Sequence, residues 1–353
     1  MPTENFFDQL VDIVIKEGAS DLHLTEGRRP TIRVAGFLIP LMKMEVLTKE
    51  NINSLVELFL TAENKKIFDT DKEANFAYSH KNAGRFRGNV YQELGKTSVA
   101  LRLVVSKIKT LAELNLPSVL ETFTKLKQGF FLVVGPAGQG KSTTLASMME
   151  IINEERLDHV ITIEDPIEYI FEEKKALINQ REVRADTPDF HTALRGVFRQ
   201  DADVIMVGEM RDPETMSTAV TAAETGHLVF STLHTNTAAQ TIDRIIDSFP
   251  ADQQGQIRIQ LSNSLVGIFS QRLVPRISGG LIPAYELLIN NNAVSNLIRE
   301  NRTHEITSVI ETGSEDGMID MNRCLAGLVK NGEITIENAI SFSTNPKTLE
   351  RLI

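Results

Sequence analysis

The sequence predicts an α/β protein in two parts, a small α+β domain followed by a larger domain on a parallel sheet. Three observations carry this. The first hundred residues hold short segments that alternate at period two. From Gly129 onward apolar strands alternate with helical patterns, as in parallel sheets with crossover connections. At the head of that region Gly135-Pro136-Ala137-Gly138-Gln139-Gly140-Lys141-Ser142-Thr143 matches G-x-x-x-x-G-K-[ST], directly after the apolar run 129–134. A length of 353 residues makes two domains the default, and 42% apolar with 24% charged residues is ordinary for a globular chain.

In chain order, residues 4–17 place Phe6, Leu10, Ile13 and Val14 at helical spacing, which predicts an amphipathic helix ending at Gly18. Segments 31–34 and 37–39 flank Gly36 as short strands, and a helix follows Thr48. Segments 74–78, 85–91 and 98–105 read as an antiparallel meander. The small domain is thus expected over 1–105, a linker over 106–118 and the second domain over 119–353. Within the second domain, strands are expected at 129–134, 159–163, 204–207 and 228–232. A helix at 213–225 has Asp212 as N-cap, Pro213 in its first turn and Gly226 past its end. After Pro250 the pattern is mostly helical, with one more strand near 281–289.

Composition narrows the function classes. No apolar run approaches the ~20 residues of a membrane span, and the N-terminus lacks a basic start before an apolar stretch. A cytoplasmic location is expected, with docking on a membrane protein allowed. The single Cys324 excludes internal disulfides and Cys-based zinc sites, and its apolar neighbours predict an inert, buried thiol. A net charge of −10 and a pI near 5.3 speak against broad nucleic-acid binding.

The glycine-rich segment predicts a phosphate-binding loop. Its glycines let successive N–H groups point at a polyphosphate, and the helix N-terminus beginning at Lys141 adds partial positive charge. Lys141 would reach the outer phosphates and the Ser142 hydroxyl would ligate Mg²⁺. Ligands of parallel sheets sit beyond the carboxyl ends of the strands. The strand at 159–163 ends in Glu164-Asp165-Pro166, that at 204–207 in Gly208-Glu209-Met210-Arg211-Asp212, and that at 228–232 in Leu233-His234-Thr235. Hydrolysis of ATP needs a carboxylate to orient and deprotonate water and another group on the Mg²⁺ side. Glu164 is expected as the base and Glu209 as the metal-side acid; Asp203 precedes its strand and falls at the wrong end. Either glutamate could instead be a solvated loop carboxylate. His234 is expected to sense the γ-phosphate or to serve structure, whereas His227, before its strand, reads as structural. Arg85 and Arg87 share a strand face and Arg102 lies on a neighbouring strand; they read as solvated charges or as arginines that reach phosphate from a partner subunit. Arg195 and Arg199, four apart on a helix, are candidates for the same interface.

Together these residues resemble the secretion-type ATPases, and most closely their type IV pilus retraction branch. The resemblance runs through Ala19-Ser20-Asp21-Leu22-His23-Leu24, Gly84-Arg85-Phe86-Arg87, the phosphate loop, Thr162-Ile163-Glu164-Asp165-Pro166-Ile167-Glu168, Asn179-Gln180-Arg181-Glu182-Val183 and Val207-Gly208-Glu209-Met210-Arg211-Asp212. It continues through Ala223-Glu224-Thr225-Gly226-His227-Leu228-Val229-Phe230 to Thr232-Leu233-His234-Thr235. The resemblance implies a PAS-like N-terminal domain and a RecA-like ATPase domain assembled as a homo-hexameric ring. ATP would sit between the domains with Glu164 as base, Glu209 as the Walker-B acid, and Arg87 and Arg102 facing phosphate. It also implies a motor for pilus retraction, peripheral at the inner membrane and acting through a membrane platform protein, with no direct nucleic-acid partner. An accessory retraction ATPase acting on a second motor ring is the alternative, and a DNA translocase a more distant one. Extension and type II secretion ATPases usually carry an extra N-terminal domain and a four-cysteine zinc insertion, which favours retraction here. Two departures stand out: Ser295 occupies the place of an arginine in the retraction motif matched by residues 293–300, and the phosphate loop reads GPAGQGKST rather than the commoner GPTGSGKST.

Overall fold

A computed structural model of the chain describes residues 3–34, 36–81, 84–104 and 107–353. The chain divides into two compact units, Met1–Lys107 with Glu168–Ile170, and Ile108–Ile167 with Phe171–Ile353.

In the smaller unit, helix α1 (Thr3–Lys16) buries Phe7, Leu10, Val11 and Val14, one stripe at i, i+3, i+4 and i+7. Phe6 and Ile13 are only partly buried at its margin. The helix stops at Gly18 (φ +61), whose N–H bonds to the Ile15 carbonyl while the Ala19 N–H bonds to that of Val14, a Schellman closure. Six strands follow: β1 (Asp21–Thr25), β2 (Thr31–Val34), β3 (Phe37–Pro40), β4 (Glu73–His80), β5 (Gly84–Glu93) and β6 (Lys96–Val104). Their order is β3-β2-β1-β6-β5-β4, every neighbouring pair antiparallel. Strand β1, not expected from the sequence, joins the first hairpin to the meander. The expected strand end at Val105 and linker start at Ser106 lie outside the described residues. Where one helix was expected there are two, α2 (Lys49–Phe59), closed by a Thr48–Asn51 capping box, and α3 (Ala62–Asp71). An aromatic cluster fills the core: Phe7 lies 4.8 Å from Phe59 and 5.4 Å from Tyr78, and Phe59 stacks on Phe76. A Cβ at Gly88 would fall 2.1 Å from the Phe76 ring, so that cluster requires glycine there.

The larger unit holds β7 (Gly129–Val134), β8 (His159–Glu164), β9 (Leu177–Glu182), β10 (Val204–Val207), β11 (Leu228–Leu233), β12 (Leu265–Pro275) and β13 (Leu281–Ile289), in the order β13-β12-β7-β11-β10-β8-β9. All neighbours are parallel except β12 and β13. Strand β7 is buried on both faces: Phe130, Leu132 and Val134 enter one core layer, Phe131 and Val133 the other. The second layer is covered by α4 (Leu120–Thr124) and α5 (Lys141–Glu155). The first is covered by α6 (Phe190–Val197), α7 (Pro213–Glu224), α8 (Ala238–Asp247), α9 (Ala251–Ser264), α10 (Asn292–Arg299) and α11 (Ile306–Thr312). Helices α12 (Met321–Lys330), α13 (Ile336–Phe342) and α14 (Pro346–Leu352) pack around Val274, Ile282 and Ala284 at the end of the β12–β13 hairpin. No helix among the described residues is long and apolar enough to cross a membrane.

Three expectations need correction. Most of the stretch 106–118 is not a linker: Leu111 and Leu116 are buried with Phe123 and Phe131 in the core of the larger unit, so the boundary falls at Lys107. The region after Pro250 is not helical up to residue 281, because β12 runs beside β7 there; its central Ser270-Gln271-Arg272 hid the strand. Helix α6 ends at Val197, so Arg199 lies beyond it rather than on it.

One buried carboxylate ties the β12–β13 hairpin to α8. Glu286 is 4% exposed, and its Oε1 accepts the Ala238 N–H at the start of α8 at 2.8 Å. Burial pushes its carboxyl up to about 7; nearby Asp320 adds to this, and the Ala238 bond and Arg272 oppose it. Below pH ~4.5 the group is protonated in both folded and unfolded chains. Between there and pH 7 the unfolded chain releases the proton while the folded one keeps it, so stability falls as pH rises, and then levels off. Urea unfolding of wild type and Glu286→Gln at pH 5 and pH 8 should therefore differ in pH response by roughly 3 kcal/mol, the wild type losing more on going to pH 8. An identical pH response in both proteins would refute this assignment.

Candidate active site

The phosphate loop departs from the end of β7 in a conformation only glycine adopts readily. Gly135 has φ +147 and its Cα lies against β12: a Cβ there would fall 2.4 Å from the Gln271 carbonyl oxygen. Gly138 and Gly140 also have positive φ, and Gly140 is the residue from which α5 starts. Three side-chain bonds fasten the loop to β12. The Leu273 N–H donates to Gln139 Oε1 (2.6 Å), Gln271 Nε2 to the Gln139 carbonyl (2.8 Å), and the Thr144 hydroxyl to Gln271 Oε1 (2.6 Å). The glutamine that departs from the common loop sequence is thus part of the fastening.

Lys141, only 7% exposed, donates from Nζ to the carbonyls of Gly135 (2.7 Å) and Pro136 (2.9 Å), and lies 3.2 Å from His234 Nδ1. An ammonium can only donate, so His234 Nδ1 accepts, and the imidazole proton belongs on Nε2. That nitrogen faces Glu209 Oε2 at 3.3 Å. The other Glu209 oxygen pairs with Arg211, whose guanidinium also approaches Asp165 at 3.8 Å. Asp165 in turn lies 4.0 Å from Arg184. The result is a line of alternating charge, Lys141–His234–Glu209–Arg211–Asp165, across the carboxyl ends of β7, β11, β10 and β8.

Glu164 is the last residue of β8 and is buried. Its Oε1 accepts from the Thr162 hydroxyl (2.6 Å), two residues back on the same strand face, and from Gln180 Nε2 on β9 (3.2 Å). The parallel register pairs Ile163 with Val207, which sets Glu164 beside Gly208. A Cβ at Gly208 would lie 3.3 Å from the Ile163 carbonyl oxygen and 3.4 Å from the Glu164 Cα, so a small residue suits the close approach of the two strand ends.

Lys141, Glu164, Glu209 and His234 are thus gathered at one end of one sheet, together with the loop residues 135–143. Asp203 lies at the opposite end, accepting the His159 N–H, and His227 bonds the Ala222 carbonyl through Nδ1 beside the Phe198 ring. Arg87 and Arg102 belong to the smaller unit, where the register sets them directly opposite each other on β5 and β6. They line a cavity of about 260 Å³ with Asp21, Asn75 and Asn89. Arg102 Nε donates to Asp21 Oδ1 at 2.8 Å; burial opposes ionisation of Asp21, yet the Ser20 hydroxyl and Arg102 hold its carboxyl below the ordinary range. Ser295 is buried on α10, its hydroxyl within reach of the Ser262 carbonyl and Asn290 Oδ1, so this position faces the interior rather than a surface. Cys324 is half-buried rather than buried as expected, and desolvation pushes its thiol up to about 11.

Arg211, Thr162, Gln180 and Gln271 are site neighbours that motif reading did not single out. Arg211 and Thr162 were legible only as parts of strand-end motifs, Thr162 reaching Glu164 along its own strand, whereas Gln180 and Gln271 depend on strand register.

The family described as type II/IV secretion system protein matches residues 1–320. The chain is 43% identical over 331 residues to the type IV pilus retraction ATPase PilT of Pseudomonas aeruginosa, covering 94% of this chain and 96% of that protein. It is 38% identical over 348 residues to the type IV pilus ATPase PilU of the same bacterium, covering 98% and 91%. The crystal structure of the pilus retraction motor PilT with bound ADP matches at a TM-score of 0.91 and 46% identity, covering 97% of this chain and 98% of that one. The chain belongs to the type II/IV secretion system protein family and is one of its ATPases.

Proposed function

We propose that this chain is a Mg²⁺-dependent, homo-hexameric ATPase motor that powers type IV pilus retraction. It would work from the cytoplasmic side of the inner membrane through a membrane platform protein. The observation that carries the hydrolytic reading is the Lys141–His234–Glu209 line at the strand ends, with Glu164 on the neighbouring strand. The retraction reading rests on near full-length similarity to PilT.

In this reading residues 135–143 cradle the phosphates and Lys141 turns its ammonium to the outer ones. Mg²⁺ keeps several waters and takes few protein ligands, here the Ser142 hydroxyl and Glu209. When bound, Mg²⁺ would neutralise charge on the phosphate oxygens. Glu164, oriented by Thr162 and Gln180, accepts a proton from the attacking water. His234 links phosphate occupancy at Lys141 to Glu209. By resemblance to the family, Arg87 and Arg102 are the arginines we assign to face phosphate. A cavity of about 220 Å³ beside Gly140 and Thr143, walled by Leu114, Leu116, Leu273, Leu281 and Pro283, is the site we assign to the base. Similarity to PilU over 98% of the chain favours one second reading, an accessory ring acting on another motor.

Phosphate release at saturating ATP and Mg²⁺ should fall at least about a hundredfold in Glu164→Gln with nucleotide binding retained, whereas Lys141→Ala should lose binding as well. Wild-type turnover in either variant would sink the assignment. Light scattering should report a six-subunit mass, and a monomer with full turnover would count against the ring. Deleting the gene should abolish retraction while pili persist; a partial, load-dependent defect would instead select the accessory reading.

A further inference from the structure

The loop carrying His234 joins β11 to α8, and its backbone is tied to the β12–β13 hairpin at two points. Ser270 and Glu286 stand directly opposite each other in the β12–β13 register, so their side chains leave the same face. The Ser270 hydroxyl donates to the Asn236 carbonyl at 2.7 Å, and the Ala238 N–H donates to Glu286 Oε1 at 2.8 Å. These tethers fall two and four residues after His234. Between them Thr241 on α8 bonds both the Thr235 hydroxyl and the Thr237 carbonyl, each at 2.7 Å, so residues 235–238 are held throughout. An imidazole has only two side-chain rotors. Once its backbone is fixed, few orientations remain that meet both Lys141 and Glu209. A buried carboxyl costs more to accommodate than an apolar residue of similar volume, so its presence at position 286 calls for a use.

We infer that Ser270 and Glu286 are positioning residues for ATP hydrolysis, acting through the backbone of residues 236–238 to aim His234 at Lys141 and Glu209. Neither is among the residues assigned to nucleotide. The phosphate loop hangs from β12 by other groups, Gln271 and the Leu273 N–H, so binding and aiming are separable on one hairpin. The inference rests on the reading of His234 as part of the site.

The test is steady-state ATP hydrolysis by the full-length protein with Mg²⁺, alongside thermal melting of each variant. Glu286→Leu, which removes the acceptor, should lower kcat about tenfold while KM for ATP stays within about twofold; Ser270→Ala should do the same to a smaller extent. Glu286→Gln keeps an acceptor oxygen for Ala238 and should hold kcat within about twofold of wild type. Adding Glu286→Leu to His234→Ala should bring no further loss, because both changes remove one function. Unchanged kcat in folded Glu286→Leu and Ser270→Ala, or losses that multiply with His234→Ala, would overturn the inference and leave the role of His234 standing. Wild-type kcat in His234→Ala would overturn both.

Discussion

The site depends on how closely β12 approaches the phosphate loop. With the Gln271 carbonyl in the space a side chain at Gly135 would need, the loop can leave β7 only in one direction, and only through glycine. Sheet pairing sets that distance: β12 runs parallel to β7 from Leu265 to Ser270 and then continues past the end of β7 as the wall behind the loop. Gln139, Gln271 and Thr144 convert the proximity into hydrogen bonds. A loop that must present backbone N–H groups to phosphate gains from such fastening, because an arrangement fixed beforehand loses less entropy when ligand binds.

Charge alternation does the same for the side chains. Lys141, Glu209, Arg211 and Asp165 would each be costly to hold alone in a partly buried cleft. In line, each has an opposite neighbour, with His234 passing a hydrogen bond between the first two. The Nε2-protonated tautomer of His234 follows from Lys141 having no acceptor to offer. Any change in the charge seen by Lys141 therefore reaches Glu209 through one imidazole. That is a short path compared with the long helices on either face of the sheet.

Much of this was legible in the sequence, for definable reasons. The phosphate loop and the strand-end residues Glu164, Glu209 and His234 follow from local pattern, because parallel strands buried on both faces read as uninterrupted apolar runs. Strand β12 did not, since Ser270 and Gln271 point to the loops they fasten, and a strand that serves two loops loses its apolar signature. Residues 111–116 resembled a linker because only Leu111 and Leu116 are buried there, too few to form a period. Gln180 and Glu286 carried no assigned role in the sequence for another reason. Their importance arises from which strand lies beside which, and the crossover order β7-β11-β10-β8-β9 is not written in any local window.

The smaller unit raises a question of competition. Arg102 is already paired with Asp21, whereas its cross-strand neighbour Arg87 has no hydrogen bond or ion pair among the described residues. If the Asp21 pair were strong, Arg102 would be unavailable to phosphate. The Arg102 side chain is 65% exposed and that of Asp21 10%, so water reaches the pair from the arginine side. The Asp21 bond uses only Nε of the five guanidinium N–H donors, so it leaves the four on the terminal nitrogens unused. Asp21 is then better understood as setting the direction of Arg102 than as neutralising it, which also accounts for a nearly buried aspartate at the centre of a small sheet.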